Sequence, residues 1–451
     1  MRICSLFFLA LWFCYSVGAI TFEEAVVAAY NGNKEWFVNQ IEKKIADESL
    51  TQSKMLFLPN IYGRVSSSRA KAEAVQTSDG SYPYAIHNNQ LLYREITTTA
   101  RNSGKETDTS MEIGVSQNLF NGFATVNRVI ASENYAKAAY HKLKSDEQQL
   151  IINVLNAYTS IWVGHQKVVA LKKKEENLKK ALDSKNSSLE AGMGTPSEVA
   201  QANANYQKAI YERIEAETEL FSAESEFEKL TGLKADKNIE LPDLKLQLPE
   251  SLDTLINLAM SSNHSIKYKK LEEQAEVSNL DAAKGHLSPS CDLSLRAIRS
   301  LRKQKYNNSN NNYVASVEMN IPIFSNSLSS GNTYSAIAIA DQKALKARFS
   351  AEDAILEIKK QCVVNWNKYI SATAMIKSSR SAVKSAELSS ESNLEENAMG
   401  MKSNTEVLVE ENQLLEARIN LANSRKQKML SAAIIYALTG NLSLNSILKK
   451  K

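Results

Sequence analysis

The chain is written twice, and this duplication limits what it can fold into more than any other feature. Thr21-Phe22-Glu23-Glu24-Ala25 returns as Ser251-Leu252-Asp253-Thr254-Leu255, and Asn33 returns as Asn263. At the same offset Leu50 matches Leu280, Lys54 matches Lys284 and Pro59 matches Pro289. Leu119-Phe120-Asn121-Gly122 is echoed by Ile323-Phe324-Ser325-Asn326. Gly192-Met193 then matches Gly400-Met401, Glu198-Val199 matches Glu406-Val407, and Thr231-Gly232 matches Thr439-Gly440. Repeated units of this kind bury their apolar faces against one another or against further copies. The halves differ mainly after the first proline: Pro59 to Phe120 is 61 steps and Pro289 to Phe324 only 35. That difference predicts a longer loop in the first half.

Each half reads in the same order. A helix opens at Thr21 or Ser251, where Thr21 with Glu24 makes a capping box, and runs to the proline that ends it. Two strand-like segments follow. Met111, Ile113 and Val115 alternate with Glu112, Gly114 and Ser116, and Cys291, Leu293, Leu295 and Ala297 alternate with Asp292, Ser294 and Arg296. Period-2 alternation suits a barrel wall with one oily and one wet face. The connections read as polar loops, one of them including the run Asn307-Asn308-Ser309-Asn310-Asn311-Asn312.

A very long helix comes next, over about residues 123–190 and 328–398, without an internal proline. At 1.5 Å per residue it spans ~100 Å, and charge such as Lys172-Lys173-Lys174-Glu175-Glu176 places it in water. A glycine-containing turn at Gly192 and Gly194, or at Gly400, reverses it into a returning helix over 195–230 or 403–438. Val199, Tyr206, Arg213, Leu220 and Phe227 lie seven apart there, with Ala202, Ala209, Ala216, Ala223 and Leu230 at the companion position. Glu410, Ala417, Ser424, Ser431 and Leu438 take that position in the second half. Small residues on a sustained heptad let helix backbones approach closely in a coiled-coil-like pair.

The domain order expected is therefore a signal peptide over 1–19, a first repeat over 20–240, a linker over 241–250, a second repeat over 251–440 and a short basic tail over 441–451. Arg2, the apolar run to Val17 and the small residues Val17-Gly18-Ala19 predict cleavage after Ala19. Trp12 and Phe13 are too bulky for Cys14 to be a lipidation site. Cys4 and Cys14 leave with the signal, and Cys291 and Cys362 have no metal-type spacing. The five histidines are scattered. Fifty-four basic residues nearly balance 50 acidic ones, with no basic block among aromatics, which argues against a nucleic-acid partner. No nucleophile–base pair, phosphate loop or cofactor motif stands out, so neither an enzyme nor a cofactor is expected.

After the signal no stretch reaches the ~18 apolar residues of a spanning helix, so any membrane crossing falls to the strands. Four strands cannot close a barrel, since such barrels begin at about 8, and several copies must then share one. The duplicated half, the LFNG and IFSN junctions and the turns that lead into Glu198-Val199 and Glu406-Val407 resemble the TolC family of outer-membrane efflux and secretion channels. The resemblance covers about residues 20–440. It implies a mainly α fold with a β-barrel part. Long antiparallel helices would form a trimeric α-barrel across the periplasm, and four strands per protomer would enter a shared barrel of about 12 strands in outer-membrane lipid.

It further implies a passive duct that a periplasmic adaptor and an inner-membrane pump of RND, ABC or MFS type dock to. The duct is closed at its inner end by a gate. By the resemblance the gate's acidic positions fall on Glu198 and Glu406, its basic position on Lys402 in place of arginine, and its tyrosine position on Asn397. Pro196, Gly192, Gly194 and Gly400 shape the turns. Thr195-Pro196-Ser197-Glu198 and Ser403-Asn404-Thr405-Glu406 are equally capping boxes in their own right. A secreted trimeric coiled-coil adhesin is the competing class. It accounts for the signal and the heptads but not for two strand pairs set between helices of one repeat.

Overall fold

A computed structural model describes residues 20–87, 90–236, 239–244, 246–303, 307–322, 333–399 and 401–448. Ala19, Gly400 and the IFSN junction at 323–326 lie outside the described residues. The elements run α1 (Phe22–Gly32), α2 (Lys34–Met55), β1 (Asn60–His87), β2 (Gln90–Asn121), α3 (Ala124–Glu190), α4 (Pro196–Thr231), α5 (Leu252–Ser262), α6 (His264–Gly285), β3 (Ser290–Lys303), β4 (Asn307–Asn320), α7 (Thr333–Ala398), α8 (Asn404–Leu438) and α9 (Leu444–Leu448). No described helix is long and apolar enough to cross a membrane. Two compact units emerge. One holds the described residues of Met1–Asp47, Tyr135–Glu273 and Lys346–Lys451, the other Glu48–Asn134 and Gln274–Leu345.

The helix expected to run unbroken from Thr21 to the proline is broken, and identically in both halves. α1 begins on the Thr21–Glu24 capping box and stops where Asn33 turns extended, at φ −72° and ψ 122°. The Asn33 side chain, nearly buried, accepts from the Trp36 N–H at 2.9 Å and donates to the Leu230 carbonyl at 3.2 Å. Asn263 repeats this between α5 and α6. It accepts from Ile266 N–H at 3.2 Å and donates to the Leu438 carbonyl at 3.1 Å. One asparagine thus caps an outgoing helix and satisfies a carbonyl at the end of a returning one, groups that otherwise stay unpaired.

In the first unit α1 presents Phe22, Ala25, Val26 and Ala29 at helical spacing to a core that includes Leu155 and Ile161 of α3, Phe227 of α4 and Ala437 of α8. Full burial of side chains like Phe22 or Leu155 contributes about 1.5–3 kcal/mol each. Trp162 packs on this cluster, and Trp366 on a smaller one around Leu255, Cys362 and Ile435. The heptad alanines behave as expected, with Ala209 and Ala216 buried. Gly164 of α3 lets α4 come close, since a Cβ there would sit 3.0 Å from Leu220 Cδ1. Residues 441–448 do more than trail: Leu442 and Ile447 complete the α1 core.

The second unit carries one antiparallel sheet in the order β1-β2-β3-β4. The extra length of the first half forms no long loop. It extends the strands, so that β1 has 28 residues and β2 has 32, against 14 each in β3 and β4. Ladder hydrogen bonding satisfies that backbone, where a long polar loop would leave it to water. The asparagine run 307–312 likewise lies in β4, paired with β3 from Lys303 to Ile298, and not in a loop. β2 leads into α3 through Gly122 (φ +64°), where a Cβ would fall 2.2 Å from the Gly285 carbonyl oxygen. Only glycine fits this close left-handed turn, which explains the LFNG junction physically.

Candidate functional site: the turns into the returning helices and the faces of the sheet

The first turn closes α3 with a Schellman motif. Gly192 is left-handed at φ +72°, its N–H donates to the Leu189 carbonyl at 3.0 Å, and the Met193 N–H donates to Ser188 at 2.9 Å. At Gly194 a Cβ would lie 3.1 Å from the Leu189 nitrogen, so the chain reverses against its own helix end. Pro196 then opens α4 under a complete capping box. Glu198 N–H donates to Thr195 Oγ1 at 3.3 Å, and Glu198 Oε2 accepts from the Thr195 N–H at 3.1 Å. Glu198 Oε1 accepts from Lys185 Nζ at 3.4 Å. The Thr195 amide, then the Lys185 charge, hold the Glu198 carboxyl below its ordinary pKa. It is a cap and an exposed negative charge at once.

The second turn matches it. Met401 N–H donates to the Glu396 carbonyl at 2.9 Å, and Ser403 and Glu406 form the same capping box, with Ser403 N–H to Glu406 Oε2 at 2.8 Å. Hydrogen bonds from the Ser403 amide first and its hydroxyl second, with the nearby Lys402 charge, lower the Glu406 pKa. Lys402 pairs not with Glu406 but with Glu396, at 3.1 Å, and donates to Asn393 Oδ1. Asn397, where the resemblance expects tyrosine, donates Nδ2 to the Lys402 carbonyl at 2.8 Å. The polar network is thus local to the α7–α8 turn.

The sequence reading missed a belt of cross-helix pairs, because the lysine–glutamate run of α3 reads as solvated charge. Lys174 lies 3.0 Å from Glu212 of α4 and 3.0 Å from Glu416 of α8, with its side chain only 17% exposed. Asn177, buried, donates to Glu411 of α8 at 2.8 Å. Arg213 of α4 joins Glu175 and Glu217. α3 is therefore tied to its returning partner α4 and also to α8 of the other repeat, while Arg418 of α8 pairs with Glu387 of α7 at 3.0 Å. Lys167 and Lys174, seven apart on α3, meet Glu219 and Glu212, seven apart on α4, and that matched spacing is the signal that would have found the α3–α4 pairs.

The sheet has two unlike faces. Ile61, Val115, Leu295 and Ala315 share one row and Gly63, Ile113, Ala297 and Tyr313 the next but one, with Ile61 70% and Tyr313 80% exposed. The opposite face carries Tyr62, Arg64, Glu112, Arg296 and Ser316, with only Ile298 and Val314 apolar among its central rows. Tyr62 donates to Glu112 at 2.9 Å, and Ser294 and Ser316 meet at 2.8 Å. Exposed Phe57, Phe120 and Phe123 gather at the helix-proximal end of the strands. From the Phe120 row to the Tyr313 row β4 advances six residues, about 20 Å at ~3.3 Å each. That is close to the ~25 Å apolar band, flanked by aromatics, of an outer-membrane barrel.

These features define the wall of an outer-membrane channel. The model of the outer membrane efflux protein family matches residues 39–233 and 255–441, one stretch in each repeat, and the chain belongs to that family. It is 23% identical over 429 residues to the outer membrane efflux protein BepC of Brucella suis biovar 1, covering 95% of this chain and 87% of BepC. It is 22% identical over 331 residues to the alkaline protease secretion protein AprF of Pseudomonas aeruginosa, covering 69% and 67%. The crystal structure of the Campylobacter jejuni CmeC outer membrane channel superposes with a TM-score of 0.73 at 17% identity, over 98% of this chain and 94% of that one. The protein is accordingly an outer-membrane efflux channel component with a TolC-like fold, and the adhesin reading is set aside.

Proposed function

We propose that three copies of the chain close one barrel through their β1 and β4 edges and stack their long helices into a periplasmic tunnel. The single observation that carries this is the four-stranded sheet itself, oily on one face and open at both edges. An unpaired edge in lipid costs several kcal/mol per backbone group, which only neighbouring copies can relieve. The duct works without catalysis, passing cargo from an inner-membrane pump of RND, ABC or MFS type through a periplasmic adaptor. Efflux and type I secretion both fit.

The gate lies at the α3–α4 and α7–α8 turns. Glu198 and Glu406, each at the start of a returning helix, supply its acidic ring; Lys402 orders the second turn; Gly192, Gly194 and Pro196 shape the first reversal. Lys174 and Asn177 act as latches, because they hold α3 to α8 across the repeats. The adaptor is proposed to seat beside this end, in a groove lined by Leu178, Lys185, Glu198, Leu408 and Val409. Light scattering in mild detergent and planar-bilayer conductance test the proposal together. A trimer with cation-selective pores is expected, and a stable folded monomer would overturn it.

A further inference from the structure

Among the described residues β2 pairs with β3 from Thr107 to Asn121, whereas β1 and β2 pair on to His87 and Gln90. Ala70–His87 and Gln90–Glu106 therefore stand out as a two-stranded ribbon, roughly 60 Å long at ~3.3 Å per residue. Its body is polar, with Thr97, Thr98 and Thr99 opposite Asp79, Ser78 and Thr77. Its tip is not. Tyr82, Tyr84, Ile86, Leu91, Leu92 and Tyr93 are all exposed, Ile86 by 72%.

The register sorts the tip into two faces. Tyr82, Leu92, Arg94 and Ile96 fall on one, and Pro83, Leu91, Tyr93 and Glu95 on the other, with a bulge at Tyr84 between Pro83 and Ala85. Both faces are thus apolar, and each carries one charge of opposite sign. Neither Arg94 nor Glu95 has an ion pair among the described residues. A tip that is apolar on one side only can lie on a single surface; one that is apolar on both sides needs a neighbour on each. Two-stranded ribbons are also marginal alone in water, and exposed apolar patches of this kind mark contact sites.

We infer that the tip's partner is the same tip in the other copies: three ribbons form a ring in which the Tyr82–Arg94 face of one copy packs on the Tyr93–Glu95 face of the next. This rests on the trimer proposed above. A three-fold ring is built of head-to-tail contacts, each joining one patch to a different patch. Opposite charges on opposite faces complement one another in that arrangement, and like faces would set like charges together. β1 is moreover an edge strand of the sheet, so the ribbon continues directly from the seam where copies meet.

The test uses the full-length protein in mild detergent with Cys291→Ser and Cys362→Ser. Tyr82→Cys with Tyr93→Cys places one thiol on each face, too far apart in orientation to join within one ribbon. Mild oxidation is expected to give covalent dimers and trimers on a non-reducing denaturing gel, and each single variant to give none. Arg94→Glu should lower the yield several-fold, and adding Glu95→Arg should restore it. Light scattering on the same sample separates the two ideas. A trimer whose double variant stays uncrosslinked, or whose single variants cross-link equally well, overturns the ring. A monomer overturns the trimer on which the ring depends.

Discussion

Asn33 donates to the carbonyl of Leu230 at 3.2 Å across 197 residues, and its repeat partner Asn263 makes the same bond to Leu438 at 3.1 Å. Each also caps the helix that follows. Asn263→Ala strands both a buried carbonyl and an amide, which costs about 1–3 kcal/mol. Asn263→Ser keeps a capping oxygen but is too short to reach the Leu438 carbonyl, and should cost less. Denaturant melts of both variants check the order, and equal losses would mean that the cap contributes nothing and the bond to Leu438 alone matters.

Glu198 and Glu406 have carboxyl pKa values held low by the amides they cap and by Lys185 or Lys402. They stay ionised below the pH at which an ordinary glutamate neutralises. Replacing both with Gln keeps the capping boxes, because Gln also serves at that position. The double variant is expected to fold and assemble yet lose cation preference and block by multivalent cations in planar bilayers. Unchanged selectivity would leave the two residues as caps only.

Lys174→Ala and Glu416→Ala each cut the tie between α3 and α8. Partly exposed pairs contribute up to about 1 kcal/mol, so a closed–open equilibrium should shift by ~2- to 5-fold. Single-channel open probability should rise in both, and the double variant should add little. Fully additive effects would show that the two residues act separately.

His141 and His264 meet Nδ1 to Nδ1 at 3.0 Å, an arrangement in which one ring donates and the other accepts. Burial first lowers both pKa values. Lys267 adds to the effect on His141; His141, Lys267 and Lys144 add to it on His264. Tyr140 packs edge-on against His141. As pH falls, the unfolded chain takes up protons first, so the stability present above pH ~6.5 is lost as pH drops through the lowered folded values. Tm should fall from about pH 7.5 to about pH 5, and less steeply in His264→Gln. Parallel profiles would remove the pair from the acid response.

Cys291 and Cys362 are both free, and burial pushes the Cys362 thiol up to about 11. A maleimide should label Cys362 only after denaturation, since the thiolate is the reactive form. A linked Cys291–Cys362 peptide in a non-reduced digest would contradict the layout.

Much of this was legible beforehand because local chemistry decides it. The boxes at Thr195 and Ser403, the reversal at Gly192, the buried heptad Ala209 and Ala216 and the alternation around Ile113 and Leu295 all follow from short-range geometry. The break at Asn33 had a local signal, since Asn31 and Gly32 are poor helix formers and Asn33 is an N-cap residue; the bond that fixes it, to a carbonyl 197 residues away, had none. The latch at Lys174 was hidden for the same reason, since its partner Glu416 sits in the other repeat. The long ribbon reads as a loop in the sequence because its strands pair polar with polar, and alternation signals only strands that have one dry face.

Ile447 and Leu442 pack in one cluster with Phe22 and Val26, and Glu147 accepts the Leu444 N–H at 3.2 Å. α1 and α9 therefore depend on each other. During export Phe22 can close first on Tyr158 and Phe227 of its own repeat, but Ala437, Leu442 and Ile447 complete the cluster only when they follow. The part of the core that joins the two repeats is therefore the last to be sealed, and the first repeat must wait with that side of its apolar cluster uncovered.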